Sequence, residues 1–344
     1  MTFRPTKSMT TCSAPGKIIL FGEHAVVYGR PALAVPVTQV QAMATVTATS
    51  QPGIWVDAPD IGIRSELSRL SPNHPLAAVI RSVFAALTSP PTPLIKGEGR
   101  QVSPTTLFQK GRGCKIVITS TIPVAAGLGS GAAVSVAVVR ALSEFLGQSL
   151  PDERVSALAY EVEKLHHGTP SGIDNTVITY ANPVYFVKSC PIETFHVAAP
   201  FTIVIGDTGI HAPTKESVGD VRRLWQADSP RWEKVFDSVG EIARQARRLI
   251  ESGDIPAFGP LMDENHRLLQ EMTVSCPELD QLVEAARRAG ALGAKLSGSG
   301  RGGNMIALVR PEQAEEIAQA LRSGGALRTI ITTIQKSQEK DESR

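Results

Sequence analysis

Apolar positions along this chain fall alternately into short runs and helical stripes, and the change of period marks out the elements. Residues 16–21 (Gly-Lys-Ile-Ile-Leu-Phe) are a compact apolar run, read as a buried strand. Residues 32–50 are rich in valine and threonine with partial alternation, the pattern of consecutive strands. A helix is predicted over 74–87, after the Ser71-Pro72 break. The polar stretch 88–113, with three prolines near 90–93 and several glycines, reads as a long loop or weak hairpin. Residues 114–122 return to a strand pattern and a glycine turn follows. Over 130–146 alanine and valine occupy nearly every face, the mark of a buried helix, and Gly147 ends it. Residues 151–167 place Val155, Leu158, Ala159, Val162 and Leu165 on one stripe, an amphipathic helix stopped by Gly168-Thr169-Pro170-Ser171-Gly172.

A linker is expected over 191–200, and a second strand-and-helix region opens at 201–205. Helical patterns follow at 215–226, 230–252, 256–271 and 277–289. Strand-like runs at 291–297 and 304–309 flank a glycine cluster, and a helix at 311–323 and a strand at 326–334 complete the pattern. Residues 1–11 read as a loose leader and 336–344 as a charged, frayed tail. There is no internal repeat. The organisation is α+β in two halves, 1–190 and 191–344.

Composition narrows the function classes. At about 150 residues per domain, 344 residues make two domains. Apolar residues at 42% and charged residues at 20% exclude disorder over the whole chain. Thirty-five basic against 33 acidic residues leave +2, too little for broad attraction to nucleic acid or anionic membrane, so neither is an expected partner. Cys12, Cys114, Cys190 and Cys276 are scattered with no CxxC pair, against a zinc ribbon or a disulfide framework. Residues 1–11 lack the apolar core of a signal peptide, and a reducing cytoplasm is the expected location. The most apolar stretch, 122–142, is broken by Pro123, Gly127, Gly129, Ser130, Gly131 and Arg140, unlike a membrane span.

Three clusters of small residues carry the candidate chemistry. Ala14-Pro15-Gly16-Lys17 leads into a strand that ends at Gly22-Glu23-His24. Gly127-Leu128-Gly129-Ser130-Gly131-Ala132-Ala133 enters the buried helix. Lys295-Leu296-Ser297-Gly298-Ser299-Gly300-Arg301-Gly302-Gly303 joins two strands. Glycines admit close approach of a phosphate, and a helix starting behind them aims free N–H groups at it. The second cluster has that order but no Gly-Lys-Ser/Thr, so it is no Walker A loop, and a plain strand-to-helix turn is equally open. The third holds a literal GxGxxG, but it precedes a strand, which excludes a dinucleotide fingerprint. Its four glycines point to a loop pressed against a ligand. Lys17 in a buried strand needs a carboxylate or phosphate partner. Glu163 lies at the edge of its helix stripe and Asp174 could simply cap a helix. His166 and His167 are adjacent rather than four apart, which argues against zinc.

Taken in order, Ala14-Pro15-Gly16-Lys17, Gly22-Glu23-His24-Ala25-Val26-Val27-Tyr28-Gly29, Gly127-Leu128-Gly129-Ser130, His167-Gly168-Thr169-Pro170-Ser171-Gly172-Ile173-Asp174-Asn175 and Lys295-Leu296-Ser297-Gly298-Ser299-Gly300 make a chain that resembles the GHMP small-molecule kinases. Asp207-Thr208-Gly209-Ile210 with Thr214-Lys215-Glu216 adds to the likeness, and the matches span 14 to 305. Each piece alone is weak; the ordered set is specific.

The resemblance implies an α+β fold with an N-terminal domain like the second domain of ribosomal protein S5 and a ferredoxin-like C-terminal domain. ATP and substrate would lie in the cleft between them. The expected reaction is transfer of the γ-phosphoryl of ATP to the primary hydroxyl of mevalonate, with phosphomevalonate or a related small hydroxy acid or sugar as the alternative acceptor. The implied phosphate contacts are Pro123, Gly127, Leu128, Gly129, Ser130, Gly131 and Ala132, with Mg2+ on Glu163 and Ser130. Asp174 would face the hydroxyl with Lys17 beside it, and Glu23, His24, Ser171, Gly298 and Ser299 would lie near the substrate. The chemistry suits the residues: an alcohol is a poor nucleophile that a carboxylate can orient or deprotonate, and Mg2+ favours few carboxylates beside phosphate and water. The chain departs from the family at Gly131, where a second serine is frequent, and at Arg301, which interrupts a glycine run. The Arg301 guanidinium could meet phosphate or solvent. A non-catalytic sensor on the same fold is the competing class, and the presence of Lys17, Glu163 and Asp174 argues against it. A homodimer stays open as an assembly.

Overall fold

A computed structural model describes residues 7–88, 113–123, 126–167, 171–211 and 214–337. The predicted loop over 88–113, the Gly168-Thr169-Pro170 helix stop and most of the predicted leader and tail lie outside those residues. The chain forms two compact units. One comprises Met1–Gly16, Val40–Pro123 and Gly129–Tyr180, the other Lys17–Gln39, Val124–Leu128 and Ala181–Arg344. Where a single boundary at 190/191 is expected from sequence, the chain passes between these units repeatedly, twice inside long strands.

The leader is shorter than its composition implies: strand β1 already begins at Met9 and runs to Phe21. The valine-threonine stretch is one 18-residue strand, β2 (Ala32–Thr49), paired with β1. In the first unit, Ala42, Ala44 and Val46 of β2 point inward while Gln41 and Met43 point out, the period-two pattern of a half-buried strand. This part of β2 pairs antiparallel with β5 (Gly113–Ser120). β3 (Gly53–Ala58) lies parallel to β5, and β4 (Ile63–Glu66) pairs antiparallel with β3. The periodicity does not mark β3 and β4, because each is short and crowded by Pro, Gly and Asp. Helix α1 (Pro75–Thr88) buries Leu76, Val79, Ile80, Val83 and Leu87. α2 (Ser130–Phe145) is buried on every side from Val136 to Val139, as its composition predicts. Its Arg140 is held by Asp152 at 2.7 Å and the Thr179 carbonyl at 2.6 Å. α2, α3 (Asp152–His167) and α4 (Ile173–Tyr180) pack on one another.

In the second unit, Ala32–Ala34 of β2 pairs with β6 (Val184–Phe186), which pairs with β7 (Glu193–Thr194); the expected linker therefore contains a strand. A four-stranded antiparallel sheet follows, made of β8 (Phe201–Asp207), β9 (Gly293–Ser297), β10 (Asn304–Val309) and β11 (Arg328–Ile334). Its order, β11-β8-β10-β9, is that of the ferredoxin-like split βαβ, as expected. Between β8 and β9 run α5 (Thr214–Ala227), α6 (Ser229–Ser252), α7 (Gly259–Glu271) and α8 (Pro277–Arg288). α9 (Ala314–Ser323) joins β10 to β11. The helix pattern predicted from 256 starts with a short 3-10 turn, Pro256–Phe258, before α7. No helix among the described residues is long and apolar enough to cross a membrane.

Candidate active site

The Gly22-Glu23-His24 turn is dictated locally. Gly22 has φ +96°, and a Cβ there would lie 2.4 Å from the Pro31 carbonyl, so only glycine fits. The turn buries Glu23, whose carboxylate forms an ion pair with the fully buried Lys295 ammonium of β9. Burial pushes the Glu23 pKa up and that of Lys295 down, and the mutual attraction opposes both shifts. His24 follows at φ +60°, with Nε2 3.1 Å from the Ser299 carbonyl. A carbonyl only accepts, so Nε2 carries the proton and Nδ1 is left as an acceptor. Burial lowers the His24 pKa to about 4, which keeps the ring neutral near pH 7.

The small-residue turn expected to hold phosphate is tied down at two points in this unit. The Lys17 N–H donates to the Leu128 carbonyl at 3.0 Å. The Asn304 amide, at the start of β10, donates to the Ala126 carbonyl. Gly127 has φ +74°, and a Cβ there would sit 3.6 Å from the Asn304 amide nitrogen. Lys17 itself is buried on β1.

The loop from Gly298 to Gly303 corrects the expectation drawn from its glycines. A Cβ on Gly300 would lie 1.9 Å from the Val274 carbonyl, and one on Gly302 would lie 2.5 Å from the Ile210 carbonyl. These two glycines answer to the protein's own backbone rather than to a ligand. Gly298 and Gly303 have open space at their Cβ positions among the described residues. Arg301 is half-exposed and tied to the protein itself: its guanidinium pairs with Asp220 of α5. The Asp207-Thr208-Gly209-Ile210 motif braces the same loop. The Thr208 hydroxyl donates to the Gly303 carbonyl at 3.0 Å, and the Gly303 N–H donates to the Ile210 carbonyl at 2.9 Å.

The remaining expected site residues belong to the first unit. Gly129, at φ +74°, caps α2, and Ser130 is its first residue. Among the described residues, none lies within 4 Å of where a Cβ on Gly131 would sit. Six residues separate α2 from α3 and the two pack together, so the chain reverses and the C-terminal part of α3, with Glu163, returns beside the start of α2. α4 begins five residues later with half-buried Asp174 in its first turn. At the entry to α4 the Ser171 hydroxyl accepts from the Ile173 N–H at 3.3 Å. Asn175 anchors α4 on α3 through the Ser156 hydroxyl at 2.8 Å. Ser130, Glu163 and Asp174 thus share one end of three packed helices, where the α2 and α4 N-termini favour negative charge. Such an end can receive phosphate oxygens, and a carboxylate such as Glu163 with the Ser130 hydroxyl suits a magnesium ion held mainly by phosphate and water.

The sequence pattern gave Lys295, at the head of the third cluster, no role of its own, and missed Asn304 and Asp220. Lys295 was legible by the same reasoning as Lys17, a charge inside a buried strand. Asn304 and Asp220 act through contacts 178 and 81 residues away along the chain, for which no local signal exists.

The chain matches the N-terminal domain of the GHMP kinases over residues 100–182 and their C-terminal region over 246–327. It is 37% identical to the mevalonate kinase of Thermococcus gammatolerans, over 94% of this chain and 96% of that one. It is 35% identical to the mevalonate kinase of Pyrococcus furiosus, with the same shares covered. Among solved structures, L. major mevalonate kinase in complex with R-mevalonate superposes with a TM-score of 0.83 at 30% identity, covering 98% of this chain and all of that one. Motif order, sheet topology and these similarities agree: the chain belongs to the GHMP kinase family.

Proposed function

We propose that the chain transfers the γ-phosphoryl of ATP to the primary hydroxyl of mevalonate. The observation that carries this reading is the glycine turn that the Lys17 N–H and Asn304 hold in place and that opens directly into the N-terminus of α2. Mevalonate as acceptor is supported by near full-length similarity to mevalonate kinases.

In this reading the turn from Gly127 through Ala132 takes the nucleotide phosphates on backbone N–H groups. Asp174 accepts or orients the hydroxyl proton of the acceptor, and the Lys17 ammonium steadies the charge of the group in transfer. Magnesium, held by Glu163 and Ser130, would supply charge neutralisation at the phosphates. Neutral His24 offers its Nδ1 lone pair to an acceptor hydroxyl. Four free cysteines fit a reducing cytoplasm.

The test is ADP release from ATP across a panel of small hydroxy acids and alcohols. Release that depends on mevalonate is the expected result. No release with mevalonate, or equal release without it, refutes the assignment. Asp174→Asn should lower kcat by at least about 100-fold while the protein still folds.

A further inference from the structure

Five non-glycine residues among those described have positive φ: His24, Ala181, Ser189, Thr273 and Arg301. Three of them meet at one loop. His24, at φ +60°, touches the Ser299 carbonyl. Arg301, also at φ +60°, lies two residues further along. Thr273, again at φ +60°, stands in the turn after α7 and turns its carbonyl toward the Arg301 guanidinium, 3.4 Å from both Nε and one terminal nitrogen. A β-branched residue in the left-handed region is an outlier that surrounding contacts must hold in place.

Those contacts are on the page. The Arg301 N–H donates to the Val274 carbonyl at 2.8 Å, the carbonyl that also excludes any Cβ at position 300. The Arg301 guanidinium bridges the Thr273 carbonyl and the Asp220 carboxylate. One side chain therefore ties the glycine loop to α5 and to the turn after α7. A glycine at 301 would adopt the same φ without strain and make neither side-chain bond. Thr214, at the start of α5, donates to the Ser299 hydroxyl at 3.3 Å, so the clasp and the His24 contact bear on the same segment.

We propose that Arg301 is a positioning residue: by clasping Asp220 and the Thr273 carbonyl it fixes the Gly298–Gly303 loop, and through the Ser299 carbonyl it sets the His24 ring for the acceptor substrate. The proposal rests on the kinase reading for its substrate. Asn304 lies beyond the loop on β10 and keeps its hold on Ala126, so the clasp governs the acceptor and leaves the nucleotide turn alone.

The experiment compares the full-length wild type with Arg301→Gly, Arg301→Lys, Asp220→Asn and the Arg301→Gly/Asp220→Asn double variant. Arg301→Gly removes the strain with the clasp, so its Tm should hold or rise. Amide hydrogen exchange across residues 298–303 should quicken, and KM for mevalonate should rise about tenfold, while kcat and KM for ATP stay within about twofold. Arg301→Lys should recover part of the loss, because an ammonium still reaches a carboxylate. Adding Asp220→Asn to Arg301→Gly should change KM no further. Wild-type KM for mevalonate in Arg301→Gly overturns the proposal whatever the Tm does, as does unchanged exchange in the loop. A wild type that makes no mevalonate-dependent ADP overturns the kinase reading instead, and the exchange comparison then still decides whether the clasp exists.

Discussion

The Lys295 ammonium and the Glu23 carboxylate pair across 272 residues of chain with both side chains shut away from water, at 0% and 1% exposure. Such a pair adds little net stability, yet removing one partner strands a charge. Lys295→Met should destabilise the protein by about 3–5 kcal/mol in urea unfolding, and Glu23→Met/Lys295→Met should recover much of that. Without the ammonium, Glu23 stays buried by binding a proton. The folded state then holds more protons at this site than the unfolded one, so the deficit of Lys295→Met relative to the wild type should shrink as pH falls below neutrality. A pH-independent loss would refute this account.

Two buried imidazoles set the opposite slope for the wild type. Burial lowers His24 and His266 to about 4 from an ordinary value near 6.5. His266 is fixed in place, its Nδ1 accepting the Leu296 N–H at 3.2 Å and its Nε2 3.1 Å from an Asp280 carboxylate oxygen. The unfolded chain binds these protons first. Stability is therefore complete above about pH 6.5 and falls as pH drops toward 4, on the order of 3 kcal/mol for each ring. Denaturation midpoints between pH 7 and 5 should drop, and less steeply in His266→Gln.

Glycine positions separate by what surrounds them. Gly300→Ala forces a Cβ onto the Val274 carbonyl at positive φ and should cost about 2 kcal/mol or more. Gly131→Ala, in helix α2 with open space, should gain about 0.5–1 kcal/mol. Thermal melts of the two variants check the contrast, and equal effects would contradict it.

Asn304→Ala releases the Ala126 carbonyl and should cost about 1–3 kcal/mol. Because that carbonyl immediately precedes the turn assigned to ATP, KM for ATP should rise more than KM for mevalonate. Steady-state kinetics with each substrate varied in turn would show the reverse if the assignment were wrong.

Most of the secondary structure was legible because it follows burial. The all-round apolar α2, the stripe on α3 and the strands flanking the glycine loop sit where their periods place them. β3 and β4 were not, because Pro, Gly and Asp crowd them, and α4 was not, because a helix of eight residues carries barely two turns of period. At the site, motif order located the turns but not their partners. A glycine-rich string says that something approaches closely; it does not say whether that is a phosphate or, as at Gly300 and Gly302, the chain itself. Arg301 was ambiguous for the same reason, because its meaning depends on Asp220 and Thr273.

The repeated passage of the chain between the two units bears on how the protein is made. Residues 17–39 leave the ribosome well before 181–344, with which they form one unit. Glu23 must wait, solvated, while a further 272 residues are made before Lys295 arrives to neutralise it. A cut in the gene between residues 190 and 191 would give a downstream fragment that carries the lysine without its counter-charge, so this unit assembles only after both Glu23 and Lys295 have been made.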